Sequence, residues 1–193
     1  MARPSNPEIR ERLRKQAVDY VISHGAADLT LRPLAKALKT NARMLIYHFG
    51  SREGLMREIL ESIRERGDAL IQEWFGKAKT PPTLAEFLLA YWQRMSDPRM
   101  RGVVRLVFEL YALALRDPRS YPGVLTDPVR YWKTLAARAG SAPKMGKAEA
   151  TLLLGATRGL LLDLCATGDR RRVTQALNLL ARLLEADGKK RKS

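Results

Sequence analysis

Leu29-Thr30-Leu31-Arg32-Pro33-Leu34-Ala35-Lys36-Ala37-Leu38-Lys39-Thr40-Asn41-Ala42-Arg43-Met44-Leu45-Ile46-Tyr47-His48-Phe49-Gly50-Ser51-Arg52 reads as two short helices joined by a tight turn. Leu31, Leu34, Ala35 and Leu38 form the inner face of the first helix, and Leu45 and Phe49 belong to the second. Ala35 is small where two helices cross closely. Such a pair is a helix-turn-helix, whose second helix enters the major groove of DNA. The charge pattern agrees: no carboxylate falls between Asp28 and Glu53, whereas Arg32, Lys36, Lys39, Arg43 and Arg52 do. A face laid on phosphates must lack anions, because each would oppose the counterion release that drives binding. The plainer reading, two core helices with a chance acid-free run, accounts for the spacing but not for its coincidence with cap and charge.

Outside this stretch the sequence is punctuated as helices throughout. Gly25, Gly50, Gly76, Gly140, Gly168 and Gly188 each follow an apolar-periodic run, where helices end. Asn6-Pro7, Asp97-Pro98 and Asp127-Pro128 place a side-chain acceptor before a proline at the first helical position. Thr83 and Glu86 form a capping box, and Asp169 caps the last helix. Ile9, Leu13, Ala17, Tyr20, Val21 and His24 line one side of the first helix; Leu55, Ile59, Ile63, Leu70 and Trp74 line a longer one. The spacing predicts helices over 7–24, 31–38, 42–48, 52–75, 83–96, 98–116, 128–139, 146–167 and 170–186. The expected fold is all-α, with about nine helices. A three-helix helix-turn-helix domain spans 1–66, a helical bundle for effector binding and dimerisation 67–188, and a basic tail 189–193, the seam falling within the long fourth helix.

Two segments now stand out together. Gly25, then Thr30-Leu31-Arg32-Pro33-Leu34-Ala35, then Leu45-Ile46-Tyr47-His48-Phe49-Gly50-Ser51-Arg52-Glu53-Gly54-Leu55, resemble the DNA-binding domain of the tetracycline-repressor (TetR) family over about residues 9–60. The downstream helices match only in number, length and order. The resemblance implies a homodimer on a palindromic operator, with a C-terminal domain that binds a small effector and thereby releases DNA. Three departures matter. Lys39 stands where the family's turn usually has glycine, at about 1 kcal/mol if its φ is positive. Ile46 replaces the usual aromatic of Tyr-x-His-Phe, with Tyr47 one place later, so a family tyrosine–phosphate contact does not carry over in detail. Arg52 replaces a lysine and adds a bidentate fork.

Geometry assigns the roles. Asn41 caps the second helix, so Ala42, Arg43 and Met44 point at the groove floor. Arg43 is the base reader, its guanidinium suited to guanine O6 and N7, while Ala42 and Met44 suit thymine methyls. Thr30, Tyr47, His48 and Arg52 are phosphate contacts that set the register. His48 has an equal alternative, a helix-end imidazole bonded to a carbonyl. Arg3, ahead of the first helix, belongs to a plain solvated arm or to a neighbouring groove.

The C-terminal half carries a candidate ligand pocket of Phe87, Tyr91, Trp92, Phe108, Tyr111 and Trp132, with Tyr131 nearby, although a stripe at helical spacing also reads as core. Glu109 is expected to pair with Arg105 on an exposed face. Acids are sparse here, which favours an uncharged or anionic effector over a polycation. Gly155, Gly159, Leu162 and Asp163, with the stripe Val173, Leu177, Leu180 and Leu184, form the expected dimer interface, and Asp163 is read as buried and neutralised across it.

Composition closes the other classes. The chain has 193 residues, 46% hydrophobic and 28% charged, which suits a folded protein. One cysteine, Cys165, read as a buried packing residue, gives no disulfide framework, and two histidines leave no expected metal or cofactor. Residues 1–66 carry 13 basic and 8 acidic groups and residues 67–193 carry 22 and 12, so the net +15 is shared by both halves. Such a charge favours a polyanionic partner. Arg170-Arg171-Arg172 open the last helix against the favourable dipole sign, with Asp169 partly compensating, and Lys189-Lys190-Arg191-Lys192 read as a solvated tail, the alternative being extra non-specific attraction to DNA. The N-terminus lacks an apolar signal core, and Leu152–Cys165, interrupted by Arg158 and Asp163, is short for a membrane span, so a cytoplasmic protein is expected. A ligand-responsive regulator, most readily a repressor, fits best. An architectural DNA-binding protein without effector is the alternative; a small helical enzyme is remote, with no catalytic constellation at usable spacing.

Overall fold

The computed structural model describes residues 6–26, 29–75, 82–119, 121, 128–138 and 145–190. They contain α1 (Pro7–His24), α2 (Leu31–Ala37), α3 (Ala42–Phe49), α4 (Arg52–Phe75), α5 (Leu84–Met95), α6 (Arg101–Arg116), α7 (Pro128–Arg138), α8 (Lys147–Thr167) and α9 (Arg170–Lys190), with no strand among them. The expected Arg3 arm, the breaks at Gly76 and Gly140, the Asp127 cap and the tail residues Arg191 and Lys192 lie outside the described residues. Chain contacts divide into two compact units, Met1–Gly67 with Arg105–Thr126, and Asp68–Val104 with Asp127–Ser193.

The local signals that set the helices are present. The Asn6 side chain accepts from Glu8 N at 3.0 Å, Asp169 accepts from Arg172 N at 3.0 Å, and Thr83 and Glu86 close their capping box reciprocally. Asp97 accepts from Arg99 N at 2.9 Å, but Pro98–Met100 forms a 3₁₀ turn, so α6 starts at Arg101 and not at 98. Helix α9 runs through Gly188, where a stop was expected: glycine weakens a helix by about 1 kcal/mol without ending it.

In the first unit Leu13, Ala17, Val18 and Val21 of α1 meet Leu34, Ala35 and Leu38 of the α2 segment, Leu45 and Phe49 of α3, and Leu55, Met56 and Ile59 of α4. Leu106, Leu110, Ala114 and Tyr121 complete this core. Burying a side chain such as Leu34 or Leu45 contributes about 2 kcal/mol. His24, expected on the inner face of α1, is exposed: its ring stacks on Tyr20 at 4.2 Å and its Nδ1 lies 3.0 Å from the Tyr20 carbonyl. That local partner holds it at the helix surface.

The second unit packs α5 on α9, and α8 on both α7 and α9. Its buried residues include Phe87, Leu88 and Trp92 of α5, Trp132 and Ala136 of α7, Leu153, Thr157 and Leu161 of α8, and Val173, Leu177 and Ala181 of α9. Val173 and Leu177 are therefore consumed inside their own unit, and Leu180 and Leu184 are only half-buried. The outward stripes are different: Leu152, Gly155, Gly159 and Leu162 on α8, and Ala176, Leu179 and Leu183 on α9, all exposed at three- and four-residue spacing. Asp163 is not a buried acid awaiting a partner chain. Arg172 grips both its oxygens, at 2.7 and 2.8 Å, and holds its carboxyl below the ordinary range. Cys165 is half-buried, not the buried packing residue expected. Although Leu152–Cys165 is short for a bilayer, the full 21-residue α8 is long and apolar enough to cross one by length and composition.

Candidate nucleic-acid interface

Asn41 starts α3 as the sequence indicates. Its side chain accepts from Met44 N at 2.9 Å while its backbone is extended, so α3 begins abruptly with Ala42 and Arg43 in its first turn. The preceding turn is left-handed at Lys39, whose φ is 54°, and the Thr40 N–H returns to the Ala35 carbonyl at 2.9 Å. Lys39 thus adopts the conformation a glycine would take at less cost. After α3, Gly54 is obligatory for another reason: a Cβ there would collide with the Phe49 carbonyl oxygen.

The outer surface of this unit carries the expected polar set only in part. Arg32, Lys36, Lys39, Asn41, Arg43 and Tyr47 are exposed, Tyr47 at 44%, as is Thr30; Ala42 and Met44 are half-buried beside them. Ile46 joins the exposed face at 38%. Thr30 stands at the start of α2 without a side-chain cap hydrogen bond. Neither Arg43 nor Tyr47 is enclosed by the core, so α3 presents basic and aromatic groups outward over a leucine underside.

Two expected contacts are placed elsewhere. His48 is 7% exposed, packed edge-on to Tyr47 at 5.1 Å, and neither ring nitrogen has a partner among the described residues. Among the described residues the carbonyl bond considered for its ring is absent, and the ring is buried instead of standing on the exposed face with Tyr47. Arg52 is half-buried: Nε donates to the Leu29 carbonyl at 3.2 Å and Nη2 to the Tyr121 hydroxyl at 3.2 Å, with the guanidinium 5.8 Å from the Tyr121 ring centroid. Its fork fastens the approach to α2 to Tyr121.

Two positioning contacts escaped the sequence reading. Arg10 Nε donates to the His48 carbonyl at 3.3 Å, the same side chain pairs with Glu58, and its guanidinium lies 5.6 Å from the Phe49 ring centroid. It therefore ties the C-terminal turn of α3 to α1 and α4, and a cation suits that end of the helix dipole. Glu109 pairs with Arg105 at 3.4 Å, as expected, but also accepts from Ala26 N at 2.8 Å, holding the loop before α2. No spacing rule could find a contact 83 residues apart. At the start of α4, its own backbone N–H and then the Ser51 hydroxyl hold the Glu53 carboxyl below the ordinary range.

The ligand-pocket candidates do not form one group. Phe87, Tyr91 and Trp132 come together in the second unit: Trp132 lies 5.6 Å from Phe87 and 4.8 Å from Tyr91, edge-on to both. Trp92 turns to α9, its Nε1 donating to Thr174 Oγ1 at 3.0 Å. Phe108 and Tyr111 belong to the first unit, where Tyr111 packs on the core. Tyr131 has no described side chain. No group of three or more potential metal-ligating side chains occurs among the described residues.

Residues 13–59, from the middle of α1 into α4, match the model of the bacterial regulatory proteins of the tetR family. The helix-turn-helix segment is therefore of the tetR type. Solved tetR-like folds extend the likeness beyond the helix-turn-helix. The multidrug binding protein EbrR, complexed with imidazole, is 26% identical, with a TM-score of 0.71 over 95% of this chain and 93% of that one. A putative transcriptional regulator, SCO7518 from Streptomyces coelicolor A3(2), is 22% identical, with a TM-score of 0.70 over 92% and 99%. A TetR-family regulator from Pectobacterium atrosepticum, ECA1819, is 22% identical, with a TM-score of 0.64 over 95% and 96%. A second EbrR structure contains proflavin. No curated protein matches the chain. A tetR-type DNA-binding segment accounts for the acid-free run 29–52, which a purely structural pair of helices does not require.

Proposed function

We propose that the chain is a tetR-family regulator that acts in the cytoplasm as a homodimeric repressor on a palindromic operator, released by a small effector bound in its second unit. The observation that carries the DNA reading is the outward face of α3, with Arg43 and Tyr47 exposed and no carboxylate in residues 29–52. Arg43 reads a guanine through a bidentate pair, Ala42 and Met44 meet thymine methyls, and Thr30, Tyr47 and the exposed lysines hold phosphates. Asn41 sets the entry of α3. Arg52 and His48 serve from behind, as fastening and packing groups.

Dimerisation rests on the exposed stripes of α8 and α9. Gly155 and Gly159 have open space around the position of a side chain, and Leu152, Leu162, Leu179 and Leu183 are each at least half exposed. Two such helices from each of two copies bury one another as a four-helix contact, which spares α8 its apolar exposure. A palindrome requires two copies of α3 about 34 Å apart, and two-fold symmetry supplies the pair. Ligand control is supported by the aromatic cluster of Phe87, Tyr91 and Trp132 and by the likeness to EbrR, which binds imidazole and proflavin.

Titrating labelled duplexes selected by the purified protein, at several salt concentrations, tests the proposal. Preference for one palindrome by at least about a thousandfold over random DNA is expected. Equal, steeply salt-dependent affinity for all sequences would indicate an architectural protein instead.

A further inference from the structure

The second unit holds two buried tryptophans whose indole N–H groups are treated differently. Trp92, 3% exposed, donates to Thr174 Oγ1 at 3.0 Å. Trp132, 2% exposed, has no acceptor for Nε1 among the described residues. Buried donors are nearly always paired, because an orphaned one forfeits its hydration without return. Thr174 answers the indole of Trp92, and no described residue answers that of Trp132. Trp132 meets the rings of Phe87 and Tyr91, which stand four residues apart on α5, 6.3 Å between centroids and 30° from parallel.

The charges of the surrounding helices narrow the occupant further. Helix α5 has one carboxylate, Glu86, engaged with the Thr83 backbone in its capping box. Helix α7 has none. Helix α8 has Glu149, which accepts from Gly146 N, and Asp163, which is gripped by Arg172. A cation entering the cluster would find no uncommitted anion on these three helices, and a cation brings donors when the unmatched group is itself a donor.

We infer that Trp132 Nε1 is the polar recognition point of the effector site, and that the effector is an uncharged, planar apolar molecule bearing one hydrogen-bond acceptor, such as an aryl carbonyl. This inference rests on the effector reading above and names the ligand class for it. The rings of Phe87 and Tyr91 supply the apolar contact, and the indole N–H supplies orientation and discrimination. A site with one matched donor rejects an otherwise similar molecule lacking the acceptor, because the donor then stays unpaired.

The test uses the full-length protein and four probes of related size: 2-acetylnaphthalene, 2-ethylnaphthalene, 2-naphthoate and proflavin, titrated by calorimetry at neutral pH. The acetyl compound is expected to bind about tenfold more tightly than the ethyl compound and than either charged probe. Trp132→Phe keeps a ring and removes the N–H; it should erase the acetyl-over-ethyl preference while leaving ethyl binding within about twofold. The probe series on the unaltered protein stands by itself if the variant misfolds. Equal binding of the two neutral probes, tighter binding of proflavin or naphthoate, or binding of none of them overturns the inference. Operator affinity measured in parallel separates the two readings. Selective acetyl binding that leaves DNA affinity unchanged refutes effector control but not the role of Trp132, whereas ligand-driven DNA release without the acceptor preference refutes only the role of Trp132.

Discussion

Replacing Glu109 by alanine should loosen the loop ahead of the helix-turn-helix by an amount set by one hydrogen bond. Its carboxylate accepts from Ala26 N at 2.8 Å, and Ala26 is fully buried. Removing the acceptor leaves that N–H unpaired away from water, a loss of about 1–3 kcal/mol. The accompanying pair with Arg105 adds little, because the Arg105 side chain is 52% exposed and the contact spans 3.4 Å. A loss of about 2 kcal/mol at Ala26 corresponds to about 30-fold faster exchange of its amide hydrogen. Hydrogen exchange resolved at Ala26 is the appropriate assay, since a global denaturation curve of a chain with two units need not be two-state. Glu109→Gln keeps a neutral acceptor and should retain about half of the protection, and Arg105→Ala should change it by less than about twofold. If Glu109→Gln were as damaging as Glu109→Ala while Arg105→Ala was equally damaging, the ion pair and not the capped amide would be the fastening, and the reasoning would fail.

Four further outcomes follow from the same geometry. Arg43→Ala should cost about 1–3 kcal/mol on the cognate site and relax preference at one base pair; equal losses on random DNA in the same titration would remove its base-reading role. Lys39→Gly, relieving a φ of 54°, should raise stability by about 0.5–1 kcal/mol in thermal melts while weakening DNA binding through the lost charge; unchanged or lowered stability would mean the turn is unstrained. Asp163 is held below the ordinary carboxylate range first by its hydrogen bonds from Arg172, so its contribution is complete above the unfolded value of about 3.9 and is lost as pH falls through its lower folded value. Arg172→Ala should flatten that acid dependence in pH-resolved melts, and an unaltered profile would discount the pair. Leu179→Glu should convert a dimer to monomers in sedimentation analysis without unfolding the chain, because Leu179 is 50% exposed; a persistent dimer would place the interface elsewhere.

Helix positions, caps and the DNA-facing segment were legible in the residue order because they arise over a few residues. Asn6, Asn41, Thr83 and Asp169 each cap through a neighbour two or three positions away, and the acid-free run 29–52 is a property of composition. The same locality explains where the reading missed. Helix α9 offers two apolar stripes of similar spacing, and the order of residues alone does not say which one the chain itself covers. Packing on α5 and α8 takes Val173 and Leu177 inward and leaves Leu179 and Leu183 outside. By position alone Arg52 reads as a phosphate ligand, whereas Tyr121, 69 residues on, accepts from its guanidinium; Glu109 reads as one half of a surface pair, whereas it also accepts from Ala26 N at 2.8 Å. Trp92 and Trp132 are chemically identical; only the nearness of Thr174 to one separates them. What residue order determined was therefore each helix and the charge it carries. What tertiary structure decided was which polar group meets a partner, because that depends on chain segments brought together only once the apolar faces are buried.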